Sequence, residues 1–168
     1  MKAISLWQPW ASAIAVRAKT IETRSWRTSY RGRIAIHAAK RCRADELRFL
    51  QPDWTWMAAL SPLGVSMGGD NRLIDVLKFG VIVATARLVD CRPTESFTVK
   101  ELDTKRTHGE QPNDWNCWTE RAMGDFTPGR WGWVLTDVIQ WATPLPWRGA
   151  QGLFDIPLTE AVIGGLPE

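Results

Sequence analysis

Lys19, Glu22 and Arg24 fall close together in the run Arg17-Ala18-Lys19-Thr20-Ile21-Glu22-Thr23-Arg24, three side chains that could act on one substrate. A lysine stripped of water has its charged form disfavoured and becomes a base or a nucleophile. Glu22 could take or deliver a proton at a leaving amine, and Arg24 could hold an oxyanion or a phosphate, with the Thr20 hydroxyl beside them. Lys19 and Glu22 are therefore the candidate catalytic residues. The plain structural alternative is an ion pair between Glu22 and Arg24 across neighbouring strands, with Lys19 a surface cation that suits a helix C-terminus. His37 is open in the same way: beside Arg33 and Ala35 it could bind phosphate or donate a proton, or be a satisfied half-buried imidazole. No Gly-rich phosphate loop and no nucleophile elbow points to another enzyme class.

Cys42, Cys91 and Cys117 are far apart and form no Cys-x-x-Cys pair, so they read as reduced thiols. With His37 and His108 they offer no local ligand spacing, and neither a metal nor another cofactor is expected. The net charge of +3 is polarised along the chain. Residues 1–43 hold ten basic side chains against the single acid Glu22, and the remainder hold eleven against seventeen. Clustered cations attract phosphate and gain affinity by releasing its counterions. These are interleaved with Trp7, Trp10, Trp26 and Tyr30, rings that can stack on a base. Of the eleven tryptophans, Trp54, Trp56, Trp131, Trp133 and Trp141 lie in apolar context and are expected in the core.

The elements that must position these residues follow from periodicity. Residues 4–7 read as a strand, and Gln8-Pro9-Trp10 opens a helix running to about Ala18, with Trp10, Ala13 and Ile14 on one face and Ser12 turned away. Residues 20–26 alternate, which puts Glu22, Arg24 and Trp26 on one side of a second strand. Residues 31–37 alternate again, with Ile34 and Ile36 inward and Arg31, Arg33, Ala35 and His37 opposite, where the small Ala35 would leave room for a cleft floor. Helical character recurs at 44–50 and 54–60, and a surface loop is expected at 61–72. The β-branched run 79–89 predicts a central strand buried on both faces, followed by strands at 131–141 and 152–156. Residues 92–130 show no sustained period; a segment of that length is functional or hides a short helix near 98–102 or 115–123. A chain of 168 residues supports one domain, with loop insertions near 61–72 and 92–130. No apolar run approaches a membrane span and no signal peptide is evident, so no membrane association and a cytoplasmic location are expected.

The words Ser5-Leu6-Trp7-Gln8-Pro9-Trp10-Ala11-Ser12, the Lys19–Arg24 motif with Ser25-Trp26, and Arg31-Gly32-Arg33-Ile34-Ala35-Ile36-His37 resemble the ASCH domain. The resemblance is particular to the ASCH domain of the transcription coactivator activating signal cointegrator 1. It is strong over 4–40, fair over 79–91 and 131–157, and absent between. It implies an α+β fold, a small mixed β-barrel of the PUA-like (pseudouridine-synthase and archaeosine-transglycosylase) type flanked by short helices. It also implies a cleft beside the Gly-x-Lys-x-x-Glu-x-Arg motif, in which Arg17 here replaces the usual glycine. Family members bind DNA or RNA, remove the acetyl group of N4-acetylcytidine, or have ribonuclease activity. The amidohydrolases among them use a lysine, a threonine three residues later and a separate glutamate. Lys19 matches, Glu22 stands at the threonine position, and the second acid has no evident counterpart.

The expected function is binding of RNA, single-stranded DNA or a free modified nucleoside. The expected cleft is lined by Trp7, Gln8, Trp10, Lys19, Glu22, Arg24, Trp26, Arg33 and His37, with Arg31, Lys40, Arg41 and Arg43 on the phosphate backbone. The alternatives are a hydrolase acting on N4-acylated cytidine or on RNA, and a protein-interaction module of a transcription or translation regulator.

Overall fold

The computed structural model describes residues 1–41, 53–65, 73–109 and 116–158. Its frame is one mixed sheet of β1 (Lys2–Leu6), β2 (Ile21–Arg24), β3 (Gly32–Ala38), β4 (Val81–Pro93), β5 (Trp131–Pro146) and β6 (Leu153–Asp155), in the order β2-β5-β4-β3-β1-β6. Only β1 and β3 run parallel; every other neighbouring pair is antiparallel. The sheet curls into a half-barrel with short helices against it, an α+β arrangement of the PUA-like type.

β4 is central, and its start, Val81-Ile82-Val83-Ala84, is apolar on both faces as expected of 79–89; from Arg87 the strand alternates instead, with Arg87 and Val89 exposed. The curl comes from its pairing with β5, whose register shifts between Ile82 and Ala84, Thr85 and Arg87, and Leu88 and Asp90. Each shift puts an unpaired residue into the ladder and bends the strands. Asp137 occupies one such bulge in the left-handed region, at φ 47°.

The sheet has two apolar faces. On one, Ile4, Leu6, Ile34, Ile36, Leu88 and Trp133 pack with Ala11 and Ile14 of the helix α1 (Trp10–Ala15). On the other, Ala3, Ala35, Ile82 and Trp141 form a second cluster. Ala35 is thus not the floor of an open cleft; Trp141 and its neighbours cover it.

α1 is enclosed on both sides, since Ala13, Val16 and Ala18 pack against Trp56, Met57 and Leu60 of the helix Trp54–Leu60. Ser12, expected to face away, is therefore buried, and Gln8 satisfies it: the Gln8 side-chain oxygen accepts from the Ser12 amide at 3.1 Å and its nitrogen donates to Ser12 Oγ at 2.8 Å. The helix also stops short of Ala18. Arg17 turns into the left-handed region at φ 63° and its side chain crosses to donate twice to the Val138 carbonyl, at 3.2 and 3.1 Å.

The segment expected to be functional or to hide a helix contains one at Val99–Asp103, closed by a capping box in which Thr98 and Glu101 satisfy each other's backbone amides. Among the described residues of the other stretch, 116–123, the helical element is a 3-10 turn, Arg121–Met123, and Met123 is buried against the helix Trp54–Leu60 cluster. Trp56, Trp133 and Trp141 are core residues as expected, Trp131 is half-buried, and Trp54 is exposed. The helix expected at 44–50, and the glycine-rich part of the loop expected at 61–72, lie outside the described residues; 61–63 form a 3-10 turn.

A side chain in the left-handed region costs about 1 kcal/mol relative to glycine. Removing only the Arg17 hydrogen bonds costs a comparable amount. In urea unfolding, Arg17→Ala is expected to be less stable than the parent, and Arg17→Gly to exceed Arg17→Ala by about 1 kcal/mol; equal stabilities of the two variants would mean the turn carries no strain.

Candidate nucleic-acid interface

The motif leaves α1 through the Arg17 turn and enters edge strand β2, which is held to β5 with Glu22 opposite Trp133 and Arg24 opposite Trp131. This short path buries Lys19 completely. Its ammonium donates to the Ile21 carbonyl and lies 3.8 Å from Glu22 Oε2 and 3.9 Å from Glu120 Oε1. Glu120 is itself fully buried and is the best-satisfied carboxylate of the group. It accepts from the amides of Thr20 and Ile21, from Thr20 Oγ1 at 3.0 Å and from Arg106 Nη1 at 2.8 Å. A charge without water is tolerable only where it is paired and hydrogen-bonded, and here Lys19, Glu120 and Arg106 meet that condition together.

Glu22 looks the other way, into a cleft of about 520 Å³. Its Oε1 is 3.2 Å from Arg24 Nε, and the Arg24 Nη2 donates to the Ser5 carbonyl at 2.9 Å, tying β2 to the end of β1. Among the described residues nothing donates a hydrogen bond to the Glu22 carboxylate, although Glu22 is only 8% exposed. Arg24 Nε is likewise buried without an aligned acceptor. Trp7, 44% exposed, stands at the mouth, with Trp10 and Trp56 beside it in an edge-to-face pair at 5.6 Å. The opposing wall is Met123-Gly124-Asp125. It is fastened by Trp10 Nε1 donating to the Met123 carbonyl at 3.0 Å, and by the Asp125 amide donating to Thr23 Oγ1 at 3.1 Å. Gly124 is closely packed there: a Cβ would stand 2.7 Å from the Phe126 ring and 3.2 Å from Lys19 Nζ, so a larger residue would have to displace Phe126.

The structure brings Trp7, Trp10, Glu22 and Arg24 to this cleft, with Lys19 sealed beneath it. It separates the rest of the predicted set. Gln8 is buried and structural, bonded to Ser12 and to the Lys78 carbonyl. β2 ends at Arg24, so Trp26 leaves the alternation and packs edge-to-face on Trp133 at 4.7 Å. Arg33 bonds Thr85 and the Asp137 carbonyl, and Arg31 pairs with Asp90 at 3.4 Å. His37 and Lys40 belong to a second hollow, described below. Much of the N-terminal charge is also spent inside the fold: Lys2 pairs with Asp155, Arg17 caps a carbonyl, and Lys19 and Arg24 share Glu22. Arg43 lies outside the described residues.

Sequence reading missed Glu120, Arg106, Met123 and Asp125, all within the segment that carries no period. The only signal there was the length of that segment.

The second hollow contains His37. The Trp147 carbonyl, which can only accept, lies 3.0 Å from Nε2, so Nε2 carries the proton and Nδ1 accepts from Ser5 Oγ at 3.0 Å. Burial holds the imidazole below its ordinary pKa, partly offset by the Trp147 hydrogen bond, in keeping with this neutral form.

The family model for the ASCH domain matches residues 4–125, which spans the motif, the Glu22–Arg24 cleft and its Gly124 wall. The chain belongs to the ASCH domain family. The ASCH domain is a PUA-like, RNA-binding-type domain, and no helix among the described residues is long and apolar enough to cross a membrane. No curated protein matches the chain. Within the ASCH pattern the usual glycine before the lysine falls at Arg17, where the backbone is left-handed, which explains why glycine suits that position.

Breaking a buried charge cluster by removing one partner costs about 3–5 kcal/mol. Glu120→Ala is expected to lose stability on that scale in denaturant unfolding, and Glu22→Ala, whose carboxylate borders the cleft, distinctly less. Similar losses for both would remove the distinction between a structural and a ligand-facing carboxylate.

Proposed function

We propose that this ASCH domain binds a nucleic-acid strand, RNA or single-stranded DNA, by drawing one base into the cleft between Trp7 and the Glu22–Arg24 pair. The observation that carries this reading is the Glu22 carboxylate: nearly buried, ion-paired, and without a hydrogen-bond donor among the described residues. The carboxylate reaches the cleft, so its oxygens are open to a donor on a ligand, while the neighbouring Arg24 Nε is buried without an acceptor. The exocyclic amine or ring N–H of a base supplies such a donor, and the half-exposed Trp7 ring supplies a stacking surface worth about 1–3 kcal/mol per base. The cleft walls themselves carry Glu22 and Asp125 against Arg24 and Arg130, a balanced set that suits an uncharged base better than a bare phosphate. The Lys19–Glu120 pair below acts as positioning residues, fixing where Glu22 points.

A second reading is hydrolysis of an N4-acylated cytidine, and the observation favouring it is the Lys19 ammonium 3.8 Å from Glu22. Water would add to the acyl carbon, the C–N bond would break, and Glu22 would pass the water proton to the departing cytosine amine. Lys19, fully buried, would orient Glu22 rather than touch substrate. Chromatography of N4-acetylcytidine after incubation decides it: release of cytidine and acetate that disappears in Glu22→Gln supports hydrolysis, and no release dismisses it.

Binding is tested by fluorescence anisotropy of a labelled single-stranded RNA. Affinity should fall between about 50 and 200 mM salt. Trp7→Ala should weaken it by roughly 5- to 100-fold, and Glu22→Gln should weaken it selectively for bases that present an amine. Affinity indifferent to salt and to Trp7→Ala would refute the reading.

A further inference from the structure

The ASCH cleft accounts for a base and leaves the phosphates of a strand without a seat. A second hollow, of about 1010 Å³, opens where the parallel strands β1 and β3 both end and where β4 begins and β5 finishes. Ser5 lines both hollows; its carbonyl accepts from Arg24 on the cleft side and its hydroxyl donates to His37 on the other. The two hollows thus meet at one residue.

Their electrostatics differ. The cleft wall balances its acids and cations, whereas the described residues lining the second hollow include Lys40, Arg41 and Arg148, all exposed, and no acid. Its wall is a fixed structure. The Trp147 amide donates to the Gly80 carbonyl at 3.0 Å, the Gly80 amide to Ala38 at 2.8 Å, and His37 holds the Trp147 carbonyl. Gly149 lies so close over His37 that a Cβ would stand 2.5 Å from the imidazole Cε1, so the loop can close there only with glycine. His37, neutral and fully engaged on both nitrogens, is a positioning residue for this wall and not an anion ligand.

We propose that this hollow seats the phosphate backbone of the same strand whose base enters the cleft, with Lys40, Arg41 and Arg148 as the phosphate contacts and Trp147 as the wall. This rests on the base-binding reading above. It makes the domain a reader of strands rather than of free nucleosides, because affinity then comes from both hollows at once.

The test compares the full chain with Lys40→Gln/Arg41→Gln/Arg148→Gln, using a short single-stranded RNA and, separately, the free nucleosides. The substituted side chains are exposed, so a matching melting profile should confirm an intact fold. The triple variant is expected to bind the RNA at least tenfold more weakly, and the slope of log affinity against log salt should become shallower by about 2, from about 0.7 per lost single-strand contact. Nucleoside binding, followed by quenching of tryptophan fluorescence, should be unchanged. If the triple variant binds RNA with parental affinity and slope while Trp7→Ala still impairs binding, the second hollow is not the phosphate seat and the cleft reading stands. If Trp7→Ala also has no effect, both are overturned.

Discussion

The buried ammonium of Lys19 is the contact on which the site depends. It is fully enclosed between the Ile21 carbonyl and the carboxylates of Glu22 and Glu120. An unpaired charge at that depth would cost several kcal/mol, so the irregular segment carrying Glu120 must dock against β2 for the motif to keep its shape. Docking brings Met123, Gly124 and Asp125 with it, and these become the far wall of the cleft. Glu120 and Arg106 therefore build the cleft from beneath without lining it.

One topological fact places the two hollows together. β1 and β3 are the one parallel pair among the described strands, so their chains emerge at the same end of the sheet, and the Ala39 amide donates to the Leu6 carbonyl at 2.8 Å. Trp7 and Lys40, far apart in sequence, flank the same ridge. An exposed indole ring and a cationic patch are thereby set near each other by backbone pairing.

The sequence made the frame legible wherever a period ran through it. The alternation of 31–37 and the β-branched run beginning near 79 correspond to β3 and β4, and the Lys19–Arg24 motif lies beside a cleft. It misled where tertiary packing overrides local pattern. Ser12 is polar yet buried, because Gln8 supplies its hydrogen bonds; Ala35 is small because Trp141 covers it. Trp26 looked like a partner of Arg24 only while the strand was assumed to continue. The polarised charge was real as a count but not as a surface: acids from distant positions, Asp90, Glu120 and Asp155, neutralise much of it. Glu120 itself was invisible, since a contact between residues 100 positions apart, through an aperiodic segment, leaves no local signature.

The most direct measurement is a crystal structure of the domain with a short single-stranded RNA. A base lying on Trp7, with an amine or ring N–H within hydrogen-bond distance of Glu22, is the predicted result. A strand held across the Arg33 and Arg87 face of the sheet, with the Glu22–Arg24 cleft holding only solvent, would contradict it.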